Sequence, residues 1–157
     1  MVDLTSEFPG PTPQLVVDDA ERAILFYRTA FGADELVRNA GPDGRIMHCE
    51  LLVFGGRLIV CSDFEEDPAS SPARLGGTTV RLHLYVSDVD AVYGRAIAAG
   101  AESVAEPADA FWGDRYAIVR DPCGHQWSLA TPNEDLSVSE LEERADAWSA
   151  EQRGRDS

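Results

Sequence analysis

The chain has 157 residues, with 28 acidic against 13 basic side chains and a formal charge of −15. Hydrophobic residues make up 44% and charged residues 26%, which excludes a largely disordered chain and a collagen-like fibre. The length predicts one domain, the acidity excludes nucleic-acid and anionic-membrane partners, and no apolar run reaches the ~18 residues of a transmembrane helix.

Every basic residue is Arg; the absence of Lys removes Schiff-base chemistry. Cys49, Cys61 and Cys123 are isolated, with no CxxC pair, which suits a reducing compartment and not a zinc ribbon. The segment Met1–Glu7 has neither the basic start nor the apolar stretch of a signal peptide, so a cytoplasmic location is expected. The acidity reads as solubility or as attraction for a cationic partner.

In chain order, Thr12 to Val17 reads as a strand and Asp19 as the cap of a helix over Ala20 to Phe31, which Gly32 ends. Ala33 to Arg38 is a strand and Asn39 to Gly44 a loop. Ile46 to Phe54 and Arg57 to Cys61 form a hairpin around Gly55-Gly56. Asp63 to Gly77 is a linker. Thr79 to Val86 is a strand, and Asp88 caps a helix running to Ala99. Glu102 to Ala105 is a short strand, and Glu106 to Gly113 a loop bearing Phe111 and Trp112. Asp114 to Arg120 and Gln126 to Ala130 flank the turn Asp121-Pro122-Cys123-Gly124. Ser137 to Ala150 is a helix with Val138, Leu141, Ala145 and Trp148 on one stripe, followed by a frayed end.

The two halves repeat. A shift of 69 residues carries Asp19 onto Asp88, Gly44 onto Gly113 and Gly55 onto Gly124. The expected fold is α+β: a single domain of two tandem βαβββ modules, about 12–62 and 79–131, whose curved mixed sheet surrounds a cavity. A C-terminal helix spans about 137–150. A turn at Gly55-Gly56 pairs Phe54 with Arg57 and Leu52 with Ile59. Alternation then puts His48, Glu50, Leu52, Phe54, Arg57, Ile59 and Cys61 on the cavity face.

Particular segments resemble a known family. They are Leu15 to Ala20, Phe26-Tyr27-Arg28, Ala30 to Ala33, Val89-Asp90-Ala91, Ala98 to Ala101, Phe111 to Arg115 and Asp121 to Trp127. Together they resemble the PhnB-like branch of the vicinal-oxygen-chelate superfamily, which holds glyoxalases, extradiol dioxygenases, fosfomycin-modifying enzymes and bleomycin-binding resistance proteins. The resemblance implies paired βαβββ modules around a cavity, commonly in a homodimer. The metal ligands of that superfamily would fall on Thr12, Ile59, Arg81 and Ser128. None is a His or a carboxylate, Ile59 cannot ligate, and Arg81 is a fixed cation, so the usual metal site is expected to be absent.

The expected function is metal-free binding of a small organic molecule, a drug or secondary metabolite, by a homodimer. The ligand-binding candidates are Gln14, Glu50, Arg57, Arg81, His83, Tyr85, Trp112 and Ser128. The alternative is an enzyme of the same superfamily, a lyase, isomerase or transferase. It would use His83 and Glu50 as acid–base groups, or a divalent metal at a displaced set, Gln14, His48, Glu50 and His83. His125 reads as structural. Glu50 either pairs with Arg57 or Arg81 or holds a cationic group of the ligand. Phe111 and Trp112 form either a lid or stacking wall, or a packing contact with the final helix or a partner subunit.

Overall fold

A computed structural model describes residues 10–155. Strand β1 (Gln14–Val17) leads into helix α1 (Ala20–Phe31), then β2 (Asp34–Ala40), β3 (Ile46–Val53) and β4 (Gly56–Ser62). After the short helix α2 (Pro72–Leu75) the pattern repeats as β5 (Arg81–Tyr85), α3 (Val89–Ala98), β6 (Glu102–Asp109), β7 (Asp114–Arg120) and β8 (Gln126–Pro132). Helix α4 (Val138–Arg155) closes the chain. This is the α+β pair of βαβββ modules that the repeat predicts. The strands form two four-stranded sheets, ordered β1-β4-β3-β2 and β5-β8-β7-β6. In each, the first strand lies parallel to the fourth and the other pairs are antiparallel.

Matching residues build the two modules. Asp19 accepts the Arg22 N–H at 3.0 Å to start α1, and Asp88 accepts the Ala91 N–H at 2.9 Å to start α3. The two helices pack on each other and on the inner faces of their sheets. Leu51, Val60, Val119 and Leu129 are buried there. Tyr27 and Phe31 of α1 meet the ring of Trp127 on β8, with centroids 5.3 and 5.0 Å away. One helix thus joins both modules through a shared aromatic core, where each fully buried large ring contributes about 1.5–3 kcal/mol.

The turn Asp121 to His125 is the second joint. Asp121, 4% exposed, accepts from the Tyr27 hydroxyl at 2.6 Å and the Trp127 indole N–H at 3.0 Å. Its other oxygen accepts the backbone N–H groups of Cys123 and His125. His125 Nε2 lies 3.1 Å from the Val16 carbonyl of the first module, a buried structural contact.

Several local expectations differ. The β3–β4 turn consists of Phe54 and Gly55, with φ of 47° and 84°, so Val53 pairs with Gly56 and Leu52 with Arg57. Both turn residues have positive φ, as a tight two-residue hairpin requires. The register moves by two, which preserves faces, but Phe54 leaves the strand and its ring lies 6.3 Å from Phe31. Strand β6 continues through residues read as a loop; the pairing shifts between Ala105 and Ala108, around Pro107, as a proline inside a strand demands. The linker contains α2, capped by Ser71. Helix α4 extends to Arg155 from a reciprocal Ser137–Glu140 cap rather than fraying at Ala150. Its apolar stripe is only partly covered: Val138 is exposed, and Trp148, though in contact with Phe111, is half-exposed.

Candidate functional site

Each sheet has one face against the helices and one open face. Alternation in β1, β3 and β4 sends Leu15, Cys49, Leu51 and Val60 inward and leaves Gln14, His48, Glu50, Arg57 and Ile59 on the open side. In β5 and β8 the inward set is Leu82, Leu84, Trp127 and Leu129. The open set is Arg81, His83, Tyr85, Gln126 and Ser128.

On the first sheet, Gln14, Ile59 and Glu50 form one row across three strands. Gln14 Nε2 donates to Cys61 Sγ at 3.4 Å. Glu50 is clamped: one oxygen accepts from Arg57 at 2.6 Å and the other lies 3.1 Å from His48 Nε2. The partner left open between Arg57 and Arg81 is therefore Arg57. The His48 hydrogen bond, then the Arg57 guanidinium, hold the Glu50 carboxyl below its ordinary range. Glu50 is an ionised, satisfied carboxylate near neutral pH.

On the second sheet, His83 lies opposite Ser128, with Nδ1 2.8 Å from Ser128 Oγ. Its ring leans across β8. It meets Tyr85 edge-on at 4.7 Å and runs near-parallel to Tyr116 at 6.2 Å. Tyr116 meets Trp112 at 5.2 Å, Trp112 meets Phe111 at 5.1 Å, and Phe111 meets Trp148 of α4 at 5.3 Å. Six rings thus run from β5 to the final helix. Phe111 packs on the Trp148 ring of α4, while Trp112 stays 38% exposed beside Tyr116. The Trp112 indole N–H donates to Asp114 at 3.0 Å, which fixes its plane. Arg81 donates from Nε and Nη2 to the Gln126 amide oxygen at 3.3 and 3.1 Å.

The eight expected binding residues therefore fall into two groups, Gln14, Glu50 and Arg57 on one sheet and Arg81, His83, Tyr85, Trp112 and Ser128 on the other. The contacts described link residues within each group. A cavity of about 540 Å³ between the modules is lined by Arg57, His83 and Leu52, but also by Leu82, Leu84 and Trp127 from the inward face of the second sheet. Tyr116 and Gln126 were not among the expected site residues. The alternation of Tyr116 and Ile118 with buried Ala117 and Val119 is the signal that locates Tyr116.

A divalent metal does not fit the superfamily positions. Ile59 and Arg81 offer no ligand atom, and Ser128 Oγ is engaged by His83 and the Leu82 carbonyl. The displaced set does not assemble within the chain: among the described residues, no three His, Cys, Asp or Glu side chains converge. Glu50 pairs with His48, not with His83. The cysteines are buried and free, and burial pushes the thiols up, Cys49 to about 11 and Cys123 to about 12. Neither is a nucleophile near neutral pH. Among the described residues no helix is long and apolar enough to cross a membrane.

Comparison with known proteins agrees with this architecture. Residues 11–129 match the model of the glyoxalase/bleomycin resistance protein/dioxygenase superfamily. An uncharacterized protein of Mycobacterium bovis is 44% identical over 137 residues, covering 85% of this chain and 90% of its own. The crystal structure of TioX from Micromonospora sp. ML1 is 34% identical with a TM-score of 0.63, covering 78% of this chain and 98% of its own. The fosfomycin resistance protein FosX from Listeria monocytogenes, solved with Mn(II) and sulfate, is 17% identical. Its TM-score is 0.60 over 87% of this chain and 96% of its own, a likeness of fold alone. The chain belongs to the glyoxalase/bleomycin resistance protein/dioxygenase superfamily.

Proposed function

We propose that the protein binds a small organic molecule on the open sheet faces, as a homodimer and without a metal. The observation that carries this reading is the row of rings on the second sheet. Tyr85 is 64% exposed and Trp112 38% exposed, although both belong to a continuous aromatic contact series anchored by hydrogen bonds. Rings held rigid yet uncovered are the usual material of a binding surface. The polar candidates, Gln14, Glu50 and Arg57 on the first sheet and Arg81 and His83 on the second, would orient the ligand, while Ser128, 2% exposed, would act only by holding His83. A second copy, by facing its first sheet to this second sheet, would bring the two groups together. The uncovered edges of β2 and β6, and Trp148, favour such a partner. Sequestration of a drug or metabolite and a cytoplasmic location belong to this reading.

Native mass spectrometry of the purified full chain tests it. The expected spectrum has the dimer mass with a retained small molecule, and His83→Ala and Trp112→Ala each lower its retention. A monomer that retains nothing would overturn the reading. The enzymatic reading draws on one contact, His48 Nε2 to Glu50 at 3.1 Å, a carboxylate-oriented imidazole suited to proton transfer. It replaces His83 with His48 as the base. Turnover lost on His48→Gln, with binding kept, would establish it.

A further inference from the structure

The aromatic row ends, toward the start of β5, on a guanidinium. Arg81, His83 and Tyr85 share the open face, spaced about 6.6 Å apart along the strand. Gln126 holds the Arg81 fork with a neutral amide oxygen, which fixes its direction and leaves its charge intact. Among the described residues no carboxylate pairs with Arg81. By contrast, Arg57 is bound to Glu50, and Arg120, opposite Gln126 in the next strand, is bound to Glu102 at 2.8 Å. In a chain with 28 acidic side chains, this guanidinium has an amide as its described partner.

Of the carboxylates on the open faces, Glu50, Asp114 and Glu102 are engaged, whereas Asp34, opposite Leu52 on the edge strand of the first sheet, is exposed. Glu50 is clamped by Arg57 and His48, and Asp114 accepts the Trp112 indole N–H. On the second sheet a cationic ligand beside Arg81 would meet a fixed positive charge, with Asp114 and Glu102 already bonded. His83 uses Nδ1 on Ser128, and its Nε2 has no partner among the described residues. We propose that the site takes a flat aromatic acid, its carboxylate on Arg81 and its ring plane along His83, Tyr85 and Tyr116. The assignment rests on the open face being a ligand site, and it reverses the cationic partner that the overall acidity suggests. Local geometry outweighs net charge because a charge-assisted hydrogen bond acts at contact, whereas distant surface charge is screened beyond about 8 Å at physiological salt.

Calorimetric titration with three probes of equal shape tests it: naphthalene-2-carboxylate, naphthalene-2-carboxamide and 2-(aminomethyl)naphthalene. The carboxylate is expected to bind about tenfold or more tighter than the other two, as a hydrogen bond to a charged group requires. Arg81→Gln should abolish that preference by weakening the carboxylate far more than the amide, and Tyr116→Ala should weaken carboxylate and amide alike. Equal or tighter binding of the amide or the ammonium, or a preference that survives Arg81→Gln, overturns the aromatic-acid assignment alone. Binding of none of the three overturns the ligand-site reading and the assignment with it.

Discussion

The Tyr27 hydroxyl donates to Asp121 Oδ2 across 2.6 Å, tying the first module's helix to the second module's last turn. Burial, reinforced by the Asp121 carboxylate, holds the Tyr27 phenol well above its ordinary value of 10.0, so the proton stays in place at neutral pH. Tyr27→Phe should cost about 1.5–3 kcal/mol, the value of a hydrogen bond to a charged group. Asp121→Ala strands four donors at once and should cost more than about 3 kcal/mol. Urea unfolding measures both; equal and small losses would show that the joint does not hold the modules together.

Two glycines with similar backbones should respond differently to alanine. Gly55 (φ 84°) has open space where a Cβ would go. At Gly124 (φ 94°) that Cβ would lie 2.8 Å from Pro72 Cβ. Gly55→Ala should therefore lose only the left-handed backbone penalty, about 1–2 kcal/mol. Gly124→Ala should lose more, because α2 must also shift. Equal losses would mean that the α2 contact carries no packing energy.

The thiols should be silent in the folded protein. Cys49, Cys61 and Cys123 are each at most 4% exposed, and burial raises all three above the ordinary thiol value. A disulfide reagent at about pH 8 should label none of them until denaturant is added, and then all three. Rapid labelling of the native chain would contradict the packing of the Cys123 turn.

Acid should weaken the fold through Glu50 and Asp63. The His48 and Arg57 bonds lower Glu50 from its ordinary 4.5. The Ser71 hydroxyl and N–H lower Asp63 from 3.8. A depressed carboxyl contributes stability fully above its unfolded value and loses it as pH falls through its folded value. The stability gap between wild type and Glu50→Gln should thus be constant above 4.5 and shrink below it. A gap unchanged down to about pH 2 would show that Glu50 gains nothing from its partners.

The repeat and the alternation made the modules legible. Asp19 and Asp88 cap equivalent helices, and His48, Glu50, Arg57 and Ile59 share a face because a register shift of two keeps parity. The turn itself was harder to place, since Phe54 takes a positive φ that sequence assigns to glycine. Strand β6 was hidden by Pro107, whose bulge is set by pairing with β7 and not by local preference. Within the site, face was readable and partnership was not. Nothing along the chain distinguishes Arg57 from Arg81 as the partner of Glu50. That choice is made by the β3–β4 pairing, which brings Arg57 within 2.6 Å.

The indole N–H signals of the three tryptophans report most directly on where a small molecule sits. Trp112 lies on the open aromatic row, bonded to Asp114. Trp127 is buried between the modules, bonded to Asp121, and lines the inter-module cavity. In a nitrogen–proton correlation spectrum titrated with naphthalene-2-carboxylate, and assigned with Trp112→Phe, the Trp112 signal should move while that of Trp127 stays. Movement of Trp127 with Trp112 unchanged would place the ligand in the inter-module cavity and contradict the open-face site.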